Sequence, residues 1–133
     1  MKKMIPLLLM IALLLTGCAA PAPTPNSEAN TYRQVTMQQA VEMMEKEENY
    51  IILDVRTHED FAAGHIPGAI VIPNETIGAE EIARLPDKDQ LIMVYCRSGN
   101  RSKQASDKLV KLGYTNIVEF GGIIDWPGEV VTD

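Results

Sequence analysis

The chain has 133 residues, 46% of them hydrophobic, with 18 acidic against 12 basic side chains and a formal charge of −6. Such a length and apolar content suit one globular domain with a single core, and the acidic balance argues against nucleic acid or an anionic lipid surface as the partner. With 2 cysteines and 2 histidines, none of them clustered, no zinc site is expected, and no other metal or cofactor is called for.

Met1-Lys2-Lys3 is a basic start, Ile5 to Leu15 is apolar apart from its proline, and Leu15-Thr16-Gly17-Cys18 closes the run with small residues and a cysteine. A helix needs roughly 20 apolar residues to cross a bilayer core; this shorter run has the anatomy of a signal peptide. Leu15 to Cys18 resembles the lipobox of bacterial lipoproteins, in which the cysteine is lipidated and becomes the mature N-terminus. The resemblance implies a signal peptide over residues 1–17, a lipid on Cys18, and an exported protein anchored to a bacterial membrane, facing periplasm or cell exterior. An ordinary secretory signal and an uncleaved anchor are the alternatives. With Cys18 taken by lipid, Cys96 has no disulfide partner, and a leftover exported thiol is more often reactive than structural. Loss of Lys2 and Lys3 from the 12 basic residues leaves 10 against 18, near −8. An anion must then be drawn in by local geometry and not by the overall field.

Residues 18–31 are rich in Pro, Ala, Asn and Ser without apolar periodicity, which predicts an extended spacer behind the lipidated cysteine. The folded domain is expected over 32–133, with no internal repeat. Tyr32 to Val35 reads as a short edge strand. Thr36 with Gln39 forms a capping box for a helix reaching about Glu47, whose Met37, Ala40, Val41 and Met44 share one core-facing side. Ile51 to Val55 is β-branched and apolar, as in a strand covered on both faces. A short helix over His58 to Ala63 stops at Gly64, and Pro67-Gly68 turns the chain into a strand at Ala69 to Ile72. A further helix is predicted from about Ile77 to Leu85. Leu91 to Tyr95 is a buried strand, Ser102 to Leu112 a helix with Gly113 as its C-cap, and Asn116 to Phe120 the last strand. Strands alternating with helices predict a parallel α/β sheet.

Tyr95-Cys96-Arg97-Ser98-Gly99-Asn100-Arg101-Ser102 concentrates the chemistry. Cys96 falls at the C-terminal end of a strand, the edge at which open α/β sheets bind ligands, and the loop leads into a helix N-terminus that favours anions. Arg97 and Arg101 add two cations, so the Cys96 thiol is expected to have a lowered pKa. Gly99 can take positive φ and turn backbone N–H groups inward. Ser98, Asn100 and Ser102 are short and polar, suited to local hydrogen bonds or to capping the helix.

Ile52-Leu53-Asp54-Val55-Arg56, then Glu59 to Ala69, then Cys96 to Ser102, then Gly121-Gly122 with Trp126 resemble, in order, the motifs of a single-domain rhodanese. The resemblance covers nearly all of Tyr32 to Asp133. It implies a rhodanese-like α/β fold, a central parallel sheet of about five strands with helices on both faces. It also implies a monomeric thiosulfate sulfurtransferase in which Cys96 accepts sulfane sulfur from a small anionic donor, thiosulfate or a persulfide, and passes it to cyanide or a thiol. The loop residues Arg97 to Ser102 would hold the donor, with no general base needed if the thiol is already acidic. Four residues separate Cys96 from Arg101, where cysteine phosphatases carry five around a tetrahedral phosphate. Asp54 and Arg56 are expected to support the structure as a hydrogen-bonded or ionic pair, with Glu59 as a further partner. His65 is expected to tie down the Pro-Gly turn, and Trp126 to wall the pocket or fill the core. Two other classes stay open: a persulfide carrier with little turnover, and a thiol redox sensor. Against the sensor, the loop has no second cysteine to resolve an oxidised Cys96.

Overall fold

The computed structural model describes residues 31–133. Cys18 and the leader expected before it lie outside the described residues. Five strands, β1 Arg33–Gln34, β2 Tyr50–Asp54, β3 Ile70–Val71, β4 Leu91–Cys96 and β5 Ile117–Gly122, form one sheet in the order β1-β5-β4-β2-β3. Every pairing is parallel. Helices α1 Met37–Lys46, α2 His58–Ala63 and α3 Asn100–Lys111 connect them, with 3-10 turns at Asn74–Thr76 and Ile123–Asp125.

Alternation along β4 divides the core. All six of its residues are buried. Ile92, Val94 and Cys96 join Leu53, Val55, Ala105 and Leu109 on the α3 side of the sheet. Met93 and Tyr95 join Ala40, Ile52, Val118 and Phe120 on the side of α1 and α2. A central parallel strand covered on both faces reads as one continuous apolar run, and this one does.

The expected capping box is present: Gln39 N–H donates to Thr36 Oγ1 at 3.1 Å and Thr36 N–H to Gln39 Oε1 at 2.9 Å. The helix predicted from Ile77 to Leu85 is absent; the segment is irregular, following the 3-10 turn. Ile77 and Leu85 are buried all the same, and the Arg84 guanidinium donates to the Val71 carbonyl at 2.6 Å. Nine residues holding Gly78 and an adjacent Glu80-Glu81 pair make a marginal helix. Anchoring its apolar side chains singly satisfies the core without one.

Where β4 and β5 end together, the pairing slips. Val94 stands opposite Glu119, but Cys96 stands opposite Gly122, so two steps along β4 match three along β5. The extra residue lies at Gly121, whose φ of 102° is in the left-handed region, and the result is a bulge beside the thiol.

Candidate active site

The chain leaves β4 at Cys96 and enters α3 at Asn100, so only Arg97, Ser98 and Gly99 lie between strand and helix. Gly99, at φ 107° and ψ −6°, stands at the helix N-cap position with no side-chain cap. Only glycine adopts that conformation readily. This corrects the expected helix start at Ser102: Asn100, Arg101 and Ser102 form the first turn, and none of them caps it.

The turn aims donors at sulfur. Gly99 N–H lies 3.0 Å from Cys96 Sγ, and Ser102 Oγ lies 3.4 Å from it. Cys96 is only 1% exposed. Burial alone would push its thiol up, but the Ser102 hydroxyl and the N–H groups of Ser102, Gly99 and Ser98 outweigh it and hold the thiol below its ordinary value. Hydrogen bonds to the charged form favour that form. The lowering thus comes chiefly from the turn's own dipoles. Arg97 is exposed and Arg101 half-buried, and neither side chain makes a hydrogen bond or ion pair among the described residues. The half-buried Asp60 carboxyl is held low first by the Thr57 hydroxyl and more weakly by Arg56 and Arg101, so the charge of Arg101 is felt across the mouth at α2. Ser98 and Asn100 are exposed on the rim.

The end of β5 closes the floor. Ile124 N–H donates to the Arg97 carbonyl at 3.3 Å, and a Cβ on Gly122 would overlap that same carbonyl. The missing side chain at Gly122 therefore lets two stretches of backbone touch.

Asp54 and Arg56 lie on the other face of the sheet. Their ion pair is 2.7 Å long, and Arg56 also donates to the Gly64 carbonyl at 2.7 Å. Glu59, expected as a further partner, is not one; the exposed first turn of α2 carries it away from the buried guanidinium. The Tyr95 hydroxyl donates to Asp54 Oδ2 at 2.8 Å and accepts from Ile66 N–H at 3.2 Å. Burial, aided by Asp54, pushes that phenol up, so it remains a donor. His65 was expected to tie down the Pro67-Gly68 turn; its ring instead reaches α2 and the C-terminal residue, Nδ1 lying 2.8 Å from the Phe61 carbonyl and Nε2 2.9 Å from Asp133 Oδ1. Trp126 packs with the cluster on the α1 and α2 side, its indole N–H donating to the Glu129 carbonyl at 3.0 Å. No group of three or more potential metal ligands occurs among the described residues.

Glu119 is the residue that the sequence reading missed. It is 2% exposed, and its Oε1 accepts from the Ser102 hydroxyl at 2.6 Å and from Gly121 N–H at 2.8 Å. The available signal was a carboxylate set among Ile117, Val118 and Phe120 in an otherwise apolar strand.

A parallel α/β sheet thus carries a thiol beneath an N–H-lined turn at its C-terminal edge. The chain belongs to the rhodanese-like domain family, whose profile matches residues 36–128. It is 37% identical over 73 residues to the thiosulfate sulfurtransferase PspE of Escherichia coli (strain K12), covering 55% of this chain and 70% of that one. A sulfurtransferase of Allochromatium vinosum is 39% identical over 80 residues, covering 59% and 73%. Among solved structures, a rhodanese-related protein from Thermoplasma volcanium matches with TM-score 0.64 and 30% identity, over 77% of this chain and 100% of that one. A rhodanese with anions from E. coli matches with TM-score 0.57 and 36% identity, over 63% and 99%. These relatives support a sulfurtransferase role.

Proposed function

We propose that the chain transfers sulfane sulfur through a persulfide on Cys96. The thiolate attacks the outer sulfur of thiosulfate, the S–S bond of the donor breaks, and sulfite leaves with its electron pair. The sulfur then sits on Cys96 as a terminal persulfide anion, and cyanide or a thiolate acceptor removes it and regenerates the thiolate, a covalent cycle in two half-reactions. The supporting observation is the position of Sγ, 3.0 Å from Gly99 N–H with the thiol held low. Fixed donors of this kind stabilise developing charge without reorganising. Arg97 and Arg101, free of internal ion pairs, serve the donor's negative charge at the mouth.

The test is intact-mass analysis of the chain carrying Cys18→Ser, which leaves Cys96 as the sole thiol. Thiosulfate should add one sulfur atom, cyanide should remove it as thiocyanate, and Cys96→Ser should abolish both. Failure to gain sulfur in folded, reduced protein would refute the reading and favour a partner-dependent carrier or a redox role.

We also propose that the chain is exported and held to a membrane by lipid on Cys18, on the strength of Leu15 to Cys18 behind a basic and an apolar segment. Cys18→Ser should then release the protein from membranes; continued attachment would refute the lipid anchor.

A further inference from the structure

Glu119 occupies a place in β5 that an apolar side chain would fill at no electrostatic cost. It is 2% exposed and has no ion-pair partner among the described residues. A buried carboxylate without a cation is costly unless its hydrogen bonds serve it well. The surrounding elements offer few groups. From β1 comes the neutral Gln34, whose amide lies 3.4 Å from Oε2. From α3 come Ser102 and, one turn on, the buried and uncharged Ser106. From β5 itself comes Gly121 N–H. On β4 the one titratable side chain facing α3 is Cys96, reached through Ser102.

Ser102 has a single hydroxyl hydrogen and two anionic claimants. Its 2.6 Å contact with Glu119 has the length of a hydrogen bond from hydroxyl to carboxylate. With that hydrogen committed, the Ser102 oxygen accepts from the Cys96 S–H at 3.4 Å. The three groups form a continuous line from thiol to hydroxyl to carboxylate.

We propose that Glu119, acting through Ser102, takes up the proton of the Cys96 thiol. The S–H bond breaks and its proton passes to Ser102 Oγ, while the hydrogen already on Ser102 passes to Glu119 Oε1. The electron pair remains on Sγ. The result is a thiolate accepting from the Ser102 hydroxyl, and a neutral carboxylic acid donating to the Ser102 oxygen. One negative charge moves from carbon-bound oxygen to sulfur, and none is created. A thiol 1% exposed is thereby activated without a base from solvent, whereas the sequence alone called for no base. Glu119 is a positioning residue in this scheme, since it reaches sulfur only through Ser102. The inference deepens the proposed function and rests on Cys96 being the attacking group.

Two acids that share one hydrogen titrate as a pair, with apparent values belonging to both. The experiment is the rate of Cys96 alkylation by iodoacetamide between about pH 4 and about pH 10, alongside the ultraviolet absorbance of the thiolate, in the full chain carrying Cys18→Ser. The parent should show two steps separated by more than about one pH unit, and Glu119→Gln, close in shape and without a carboxylate to take up the proton, should show one. Ser102→Ala, which keeps the carboxylate and cuts the line, should likewise show a single thiolate step, shifted upward by loss of the hydroxyl donor. It decides the matter if Glu119→Gln does not fold. A single step in the parent, or widely separated steps that survive either folded variant, overturns the proposal. Alkylation needs no sulfur donor. Two steps in a protein that takes no sulfur from thiosulfate would refute the proposed function alone, and sulfur transfer with a single step would refute the proton transfer alone.

Discussion

Gly122→Ala is the smallest change that should separate a folded domain from a working one. Gly122 has φ −134° and ψ 154°, ordinary extended backbone that alanine adopts without strain. The whole effect is therefore steric. Its new Cβ would overlap the Arg97 carbonyl and press on the Ser98 Cα, which are backbone atoms and cannot swing aside as a side-chain tip would. The Cys96 loop or the end of β5 must move. Overpacking costs about 1–3 kcal/mol, and a clash with backbone belongs at the upper end of that range. For a domain near 100 residues each kcal/mol lowers the melting temperature by about 4–8 °C, so a drop on the order of 10 °C or more is expected. The functional loss should be larger in proportion. The displaced segment carries the Gly99 N–H that stands 3.0 Å from Sγ, and a misplacement of about 1 Å in a reacting constellation costs on the order of 10²-fold. Thermal denaturation and single-turnover sulfur uptake from thiosulfate measure the two effects separately. A variant with parental melting temperature and parental uptake would show that strand and loop do not bear on one another as described.

Tyr95→Phe should lower stability by about 1–3 kcal/mol, because buried Asp54 Oδ2 and Ile66 N–H both lose their partner. Its Cys96 alkylation rate should stay parental, since Tyr95 and Cys96 face opposite sides of the sheet; denaturant titration and alkylation together check this, and an unchanged stability would contradict it. Arg101→Ala should raise the KM for thiosulfate roughly fivefold, the worth of about 1 kcal/mol for a partly exposed charge, and leave alkylation by neutral iodoacetamide nearly unchanged. A large fall in alkylation would instead place the guanidinium among the groups that acidify the thiol. Because folding depresses the Cys96 thiol below its unfolded value, it adds stability that is fully present above about pH 8.5, the unfolded value, and is lost as pH falls through the folded one. The stability difference between parent and Cys96→Ala should therefore grow in the parent's favour with rising pH across that window, and a difference that shrinks would reverse the sign of the shift.

What could be read beforehand was carried by short-range rules. Thr36 and Gln39 name each other across three residues, Leu91 to Tyr95 is too uniformly apolar for a surface segment, and Asp54 at the end of a strand sits two residues from Arg56. What escaped depended on distant neighbours. The segment from Ile77 to Leu85 was expected to be a helix, whereas Ile77, Ile82 and Leu85 pack on one cluster of the core from irregular backbone. Arg97 and Arg101 were credited with acidifying the thiol because charge is visible in a sequence; the Ser102 hydroxyl and the N–H groups that outweigh burial are aimed at sulfur only once the chain has turned at Gly99. Ser102 was expected to close local hydrogen bonds or cap the helix, and its carboxylate partner lies 17 positions on, in β5. Glu119 looked like one polar residue in a strand, and only pairing with β1 and packing under α3 gave it meaning.

The bulge at Gly121 bears on how this domain tolerates changes of chain length. Removing one residue among Ile117 to Glu119 would turn every inward side chain of the strand outward, since strand faces alternate by single steps. Removing Gly121 would instead straighten an existing slip, leaving Val94 opposite Glu119 and Cys96 opposite the second glycine. The loss there is confined to one N–H donor on Glu119 and one carbonyl near Ser102. The bulge acts as an expansion joint between core and loop, and it is the position in β5 where an insertion or deletion between relatives can be absorbed without rewriting the interior.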